Sequence, residues 1–336
     1  MEQASPQAHD EGMSGRGGAL CTVCLVLAVL CVACTGSGNH DPPGGPQEAA
    51  RPGTTITVGA FNFPESVLLA HVYADALAAQ GIPARVSPNL GTRELVEPAL
   101  MNGLVQMVPE YAGSALGFLS LGQQPASPDA AATYQALTRT VRSRGLVAAR
   151  PAPAQNTNAI VVTEATAARY HLHSIGDLAD VAPDLVFGGP PECQERANCL
   201  PGLERVYGLR FKGFAPTDAG GPLTLQALAS HQVNVGLLFT TDPSIRARHL
   251  VILADDRRLQ PAENVTPLVH RATVDRYGPR LLAALDAVSA RLSTETLRRL
   301  DARVELAGQA PPAVAAEWLR AQALIPRGTA HRERAS

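Results

Sequence analysis

The sequence is poor in aromatic residues and contains no block of like charges. Its 336 residues carry a formal net charge of −2, and only 4% of them are aromatic. A chain without a basic run has no electrostatic footprint for DNA or RNA. We therefore expect no nucleic-acid partner.

The short motifs of common enzymes are also missing. The chain contains no G-x-S-x-G, H-E-x-x-H, phosphate-binding loop or dinucleotide-binding glycine pattern. Its nine histidines show no metal-ligand spacing, and His171 and His173 flank one leucine without clear partners. We predict that the protein is not an enzyme and uses no cofactor and no metal.

An apolar run near the N-terminus extends from Ala19 to Ala33. At about 15 residues it is short for a membrane-spanning helix, which needs roughly 20. The run predicts a secretory signal peptide over residues 1–33. The tetrapeptide CVAC, which ends at Cys34, resembles a bacterial lipobox, in which the last cysteine receives a lipid. We expect a lipid on Cys34 to anchor the protein to the outer face of the cell membrane; the alternatives are a plain signal peptide and an anchoring helix.

Two further segments are too polar and too rich in small residues to fold. Residues 34–53 contain mainly glycine, proline and small polar residues and predict a flexible tether, and residues 327–336 predict a disordered tail. Outside the N-terminal region only Cys193 and Cys199 remain, six positions apart. An isolated cysteine pair in an exported protein predicts a disulfide.

From Thr55 onwards, short β-rich runs alternate with helical patterns. Strands are predicted near 55–59, 84–86 and 105–108, with helices near 64–78 and 92–101. This order predicts a parallel sheet with helices on both faces. Further strands are predicted between 158 and 253, and the remainder is expected to be mostly helical.

Several segments, in this order, resemble the substrate-binding proteins of osmoprotectant ABC importers, which take up glycine betaine, choline or proline betaine. The segments are VGAFNFPES (58–66), PEYAGSAL (109–116), FGGPPECQERANCLPGLERVYGLRFKGF (187–214), GGPLTLQAL (220–228), FTTDPSI (239–245) and LADDRRLQPAENVTPLV (253–269). The resemblance extends from Thr55 to Leu324.

The resemblance implies a two-lobed α/β fold of the type II periplasmic-binding-protein class. Two parallel-sheet lobes would be joined by two crossing strands, with residues 54–153 and 255–326 in the first lobe and 154–254 in the second. A monomer would capture a small ligand, such as a quaternary ammonium compound, between the lobes. Closure would then present the loaded protein to an ABC permease and its ATPase.

The resemblance also assigns roles to individual residues. Tyr111 and Phe239 match positions of an aromatic cage, which holds a quaternary ammonium through its ring faces. Ser114 and Arg196 match groups that bind a ligand carboxylate. The pattern therefore predicts a cation site with a polar end.

Four positions depart from the family pattern. Phe61 replaces a lysine or glutamine that holds the carboxylate, Asn158 and Glu263 replace cage aromatics, and Asn156 replaces a nearby acid. Two lost aromatic contacts predict weak binding of glycine betaine. The substitutions suit choline or another amine, or a hydroxylated ligand that Asn156, Asn158 and Glu263 would hydrogen-bond. A ligand sensor without a transport role is a further alternative.

Overall fold

The computed structural model describes residues 55–124 and 126–326. The predicted signal peptide, Cys34, the tether and the tail lie outside the described residues. The first part of the described chain forms β1 (Ile56–Gly59), α1 (Pro64–Ala79), β2 (Ala84–Ser87), α2 (Arg93–Met101), β3 (Met107–Tyr111), α3 (Ala112–Leu119), α4 (Ala130–Arg142) and β4 (Leu146–Ala148).

The rest of the chain builds a second sheet and then returns to the first. The middle part forms β5 (Asn158–Thr163), α5 (Glu164–Tyr170), β6 (Val186–Gly189), α6 (Leu200–Gly202), β7 (Gly213–Pro216), α7 (Pro222–Ala229), β8 (Val235–Phe239), α8 (Ser244–Ala247) and β9 (Leu250–Ile252). The last part forms β10 (Val265–His270), α9 (Arg271–Tyr277), α10 (Pro279–Ser289), α11 (Thr294–Asp301) and α12 (Pro311–Ala321).

The strands form two five-stranded sheets, in the orders β2-β1-β3-β10-β4 and β7-β6-β8-β5-β9. We call the first sheet with its helices lobe 1 and the second sheet with its helices lobe 2. In each sheet four strands run in the same direction, whereas β10 in the first sheet and β5 in the second run antiparallel to both of their neighbours. Both sheets are thus mixed: the predicted two-lobed α/β fold is confirmed, and β5 and β10 are the two strands that depart from the predicted parallel order.

The direction of β5 and β10 follows from the path of the chain between the sheets. Strands β3 and β8 end at the cleft between the lobes, at Tyr111 and Phe239. A strand that arrives from the other lobe begins at the cleft and must run away from it. β5 and β10 are these two arriving strands, so each enters its sheet antiparallel to the strands that end there.

The two connecting segments run side by side. Gln155 and Asn264 form an isolated antiparallel bridge. The Asn156 N–H donates to the carbonyl of Glu263 at 3.1 Å, and the Val265 N–H donates to the carbonyl of Ala154 at 3.0 Å. These are the two predicted crossing strands.

Helix α1 supports the lobe 1 side of the cleft. Its first residue is Pro64, whose missing N–H costs nothing there, and Glu65 follows in the first turn, where a carboxylate suits the helix dipole. Behind this turn the helix is buried around most of its circumference because it packs against the sheet and against α10 and α12. Within the described residues no helix is long and apolar enough to cross a membrane.

The two lobes bury their apolar residues differently. Lobe 1 has one large buried cluster, whereas lobe 2 has one cluster on each face of its sheet. Along β5, Ile160 and Val162 belong to one face and Ala159 and Val161 to the other. This alternation is expected for a strand covered on both sides.

Two sequence expectations need correction in lobe 1. The third strand was expected at 105–108 with a turn after it, but β3 extends to Tyr111 because its last residues pair with β10. The expected helical region after residue 253 contains β10, which lies between β3 and β4. Tyr111 consequently ends a buried strand, at the edge of the sheet where ligands of α/β proteins bind.

Candidate ligand-binding site

A cavity lies between the two sheets, where β3 and β8 end and the two crossing strands pass. Its volume is about 70 Å³, so the walls of the cleft lie close together, and it opens to solvent at its mouth. The structure brings all the predicted ligand-binding residues to this cavity: Phe61, Tyr111, Ser114, Asn156, Asn158, Arg196, Phe239 and Glu263.

The aromatic residues of the cavity are grouped around Phe63, which the sequence analysis did not select. The Phe63 ring stacks on Phe61, with centroids 5.9 Å apart and an interplanar angle of 6°. Its centroid lies 6.1 Å from that of Tyr111 and 5.5 Å from that of Phe239. These are ordinary distances for interacting aromatic pairs. Phe63 thus links the aromatic residues of lobe 1 to Phe239 of lobe 2.

The signal for Phe63 was present in the sequence. Phe63 lies two residues after Phe61 and directly before Pro64, the start of α1. Its backbone is extended, with φ −140° and ψ 154°, as expected for a residue before proline. Phe61 and Phe63 lie in the short segment between β1 and α1, so both rings are at the same end of the lobe 1 sheet.

Tyr111 presents its ring to the cavity, while its hydroxyl points into a buried network. The hydroxyl donates to Glu65 Oε1 at 2.5 Å, and Asn156 Nδ2 donates to the same oxygen at 2.8 Å. The Thr241 hydroxyl of lobe 2 donates to Glu65 Oε2 at 2.5 Å. Tyr111 and Asn156 therefore each donate a hydrogen bond to Glu65. Through these bonds and the one from Thr241, the Glu65 carboxylate connects lobe 1, lobe 2 and a crossing strand.

Ser114 and Glu263 form a pair inside the cavity. The Ser114 hydroxyl donates to Glu263 Oε1 at 2.6 Å, and the Ser114 N–H donates to Oε2 at 3.0 Å. Burial raises the pKa of Glu263 to about 7, although the bonds from Ser114 and the charge of Arg93 oppose this shift. The donors that the resemblance reserves for a ligand carboxylate are thus occupied by a carboxylate of the protein.

Arg93 is a second cavity residue that the sequence analysis did not select. Its Nε donates to Glu110 Oε1 at 2.6 Å and its Nη2 to Glu110 Oε2 at 3.0 Å, and its guanidinium lies 5.1 Å from the Phe61 ring centroid. Burial alone would lower the pKa of Arg93, but the Glu110 charge outweighs it and raises the pKa. Burial and Glu110 raise the pKa of Glu97 well above its ordinary value.

Arg196 lies on the lobe 2 side, in the loop closed by the predicted disulfide. Cys193 and Cys199 are bonded, with Cα atoms 5.2 Å apart, which confirms that prediction. Arg196 Nη2 lies 3.3 Å from carboxylate oxygens of both Glu94 and Glu192. Because Glu94 belongs to α2, this ion pair crosses the cleft. Arg196 therefore lines the cavity with its charge already compensated.

The remaining predicted residue, Asn158, also contacts the disulfide loop. Its Nδ2 donates to the carbonyl of Asn198 at 3.2 Å. Asn158 and Phe239 pair across β5 and β8, so both face the cleft from the end of the lobe 2 sheet.

The charged groups in and beside the cavity leave an excess of negative charge. Two arginines stand against four glutamates, a formal charge of −2 when all are ionised: Arg93 and Arg196, with Glu94, Glu110, Glu192 and Glu263. Of these carboxylates, Glu263 forms none of the ion pairs found among the described residues. The arrangement favours a cation beside Glu263 and the aromatic rings.

Comparisons with known proteins agree with this chemistry. Residues 54–321 match the family described as the substrate binding domain of ABC-type glycine betaine transport systems. The chain is 31% identical to the glycine-betaine-binding protein of Pseudomonas aeruginosa, covering 82% of this chain and 90% of that one. It is 29% identical to the glycine betaine-binding protein YehZ of Escherichia coli, covering 82% and 92%. A crystal structure of a glycine betaine/carnitine/choline ABC transporter protein shares the fold, with a TM-score of 0.64, 24% identity and coverage of 80% and 99%.

Proposed function

The chain belongs to the family of substrate-binding domains of ABC-type glycine betaine transport systems, and from that premise we propose that its ligand is a small organic cation with a short hydroxyl-bearing tail. Members of this family are binding proteins and not enzymes. The protein captures a solute outside the cytoplasm and delivers it to an ABC permease.

The observation that carries the proposal is the position of Glu263 beside a group of aromatic rings. Phe63, Tyr111 and Phe239 supply ring faces, while Phe61 stacks on Phe63 and is covered by Arg93, and a quaternary ammonium binds such faces with about 0.5–2 kcal/mol for each good contact. Among the residues that the structure describes, Glu263 forms no ion pair, and it lines the same cavity. A cationic head would supply that partner.

The same residue disfavours a zwitterion such as glycine betaine. The carboxylate of glycine betaine would compete with Glu263 for the two donors of Ser114. It would also meet Arg196, whose charge is already compensated by Glu94 and Glu192. Choline avoids this competition because its hydroxyl carries no charge.

Calorimetry with three matched ligands tests the proposal. Choline, its uncharged isostere 3,3-dimethyl-1-butanol and glycine betaine differ in the charge of the head or of the tail. We expect choline to bind at least about tenfold more tightly than either of the others. Binding of glycine betaine in the low micromolar range, with choline weaker, would contradict the role given to Glu263.

The proposal includes the membrane anchor and the division into lobes. Cys34 follows the small residue Ala33 at the end of an apolar run, so we infer that it carries a lipid. Replacing Cys34 with serine should move the protein from the membrane to the soluble fraction. Unchanged partitioning and mass would refute lipidation. We propose lobe boundaries at residues 153/154 and 254/255, and we expect a monomer.

A further inference from the structure

We propose that Arg93 is a ligand-binding residue that sets specificity for the polar end of the ligand. Its Nη1 would donate to an acceptor oxygen of the tail while the aromatic rings hold the cationic head. This inference rests on the proposed function, and it adds a residue for which the resemblance gives no role.

The first argument is the hydrogen-bonding state of the guanidinium. A guanidinium has five N–H donors in a fixed planar fork. Glu110 accepts from Nε and Nη2, along one edge of the fork. Within the described parts of the chain, Nη1 has no hydrogen-bond partner. The Arg93 side chain is only 11% exposed and lines the cavity. Nη1 is not fully shielded from solvent, so this edge of the fork faces the cavity, where an acceptor oxygen of a ligand can take the place of water.

The second argument is the position of Arg93 on Phe61. The guanidinium carbon lies 5.1 Å from the centroid of the Phe61 ring. Phe61 stands where the resemblance places a lysine or glutamine that holds the polar end of the ligand. The phenylalanine removes that donor, and Arg93 brings another donor next to the same position. The two residues together can replace the missing group.

The third argument is that Glu110 holds the Arg93 guanidinium in a fixed orientation. The bidentate contact with Glu110 fixes the Arg93 fork, and such charge-assisted pairs are strong and geometrically specific. Glu263 lines the same cavity, and the charge of Arg93 opposes the rise that burial causes in the pKa of Glu263. A hydroxyl between them can accept from Nη1 and donate to Glu263. This arrangement selects a tail with a hydroxyl.

Two ligands that differ only in the tail separate this role from the aromatic cage. Choline carries a hydroxyl, and tetramethylammonium carries the same cationic head without a tail. We expect the natural protein to bind choline more tightly. The test variant is Arg93→Gln with Glu110→Gln, which removes both charges together and leaves no buried carboxylate without its cation. In this variant choline affinity should fall about tenfold, whereas tetramethylammonium affinity should change less than about threefold.

Two control variants complete the experiment. Glu110→Gln alone measures the contribution of Glu110 to choline affinity. Arg196→Gln should change the affinities for choline and tetramethylammonium by the same factor. Should thermal shift show that the double variant does not fold, Arg93→Lys replaces it, because a lysine lacks the planar fork and should reduce the same ratio of choline to tetramethylammonium affinity.

An equal loss of affinity for both ligands in the Arg93 variants, or no loss, would overturn the role of Arg93. Binding of tetramethylammonium and choline with equal affinity to the natural protein would overturn it too, yet leave the aromatic site standing. Failure of both ligands to bind would overturn the proposed function as well.

Discussion

The two walls of the cleft are built in different ways. The lobe 1 wall holds Phe61, Tyr111 and Glu263, each less than 6% exposed and held by partners of lobe 1 or of the crossing strands. The lobe 2 wall holds Arg196 and Phe239, which are partly exposed. One wall is thus preformed, and the other supplies contacts from a loop and a strand end.

This difference gives the lobes different parts in binding. A site whose groups are already fixed loses little conformational entropy when a ligand arrives. The partly exposed groups of lobe 2 are suited to close over a ligand that already rests on lobe 1. Contacts across the cleft are already present, since Arg196 pairs with Glu94 and Thr241 donates to Glu65.

The largest expected effect compares the two arginines directly. Arg93→Met leaves Glu110 buried without its cation, which should lower the free energy of unfolding by about 3–5 kcal/mol. The matched variant Arg196→Met leaves two carboxylates that reach solvent, so it should cost less than about 1 kcal/mol. Urea denaturation of both variants measures the difference. Equal costs would show that the lobe 1 wall is not the more rigid one.

The disulfide is the next largest contribution, and it acts on the lobe 2 wall. Chain-entropy arithmetic gives about 2.4 kcal/mol for a loop of this length, an upper value because short loops are stiff. Replacing both Cys193 and Cys199 with alanine should lower stability by up to that amount and weaken ligand binding through Arg196. A reducing agent should lower the stability and the ligand affinity of the natural protein but leave those of the variant unchanged. Unchanged stability and affinity in the variant would mean that the loop holds its shape without the bond.

The aromatic residues test whether the two walls meet at Phe63. Phe63→Ala removes the ring that contacts Phe61, Tyr111 and Phe239, and should weaken binding of choline about tenfold. Tyr111→Phe is the matched control, since its hydroxyl bonds Glu65 and not the cavity. It should change affinity less than about twofold. Calorimetry with choline measures the affinity of both variants. A loss of affinity larger than twofold in Tyr111→Phe would mean that the Tyr111 hydroxyl contacts the ligand.

The sequence predicted the order of strands and helices well where patterns are local. Alternating runs located β1, α1, β2 and α2 to within a few residues, and the cysteine pair predicted the disulfide. Strand β10 was missed because its role depends on pairing with β3 and β4, more than a hundred residues earlier in the chain. Such distant pairing leaves no local pattern.

The site was predicted by position and not by hydrogen bonding. Each residue was selected for the position that it occupies in the family pattern, and all the selected residues line the cavity. The pairing of Ser114 with Glu263 and of Arg93 with Glu110 joins residues that are distant in sequence or placed on different elements. Residue types alone gave no sign that the Ser114 hydroxyl already donates to Glu263, nor that Glu110 binds only one edge of the Arg93 guanidinium in the described parts of the chain.

The smallest expected effect is the dependence of binding on pH, and it arises on the lobe 1 wall. The pKa of Glu263 is raised to about 7 by burial, so the ionised fraction of Glu263 increases roughly tenfold between pH 6 and pH 8. If the cation binds the ionised form, choline affinity should rise by about that factor, and Glu263→Gln should abolish the rise. Arg93 stays charged in this range, so it should not produce the change.

The effect of Glu263 on stability has the opposite sign. A carboxyl whose pKa is raised by folding stabilises the folded state below its unfolded pKa of about 4.3, and that stability is lost as the pH rises through about 7. Without ligand, Glu263→Gln should therefore be more stable than the natural protein at pH 8, with a smaller difference at pH 5. Choline should reduce the difference at pH 8, because the cation compensates the carboxylate only in the natural protein. Thermal unfolding at both pH values, with and without choline, measures all four states. A difference that does not change with pH would mean that Glu263 keeps one protonation state, and the cation would then be held by the aromatic rings alone.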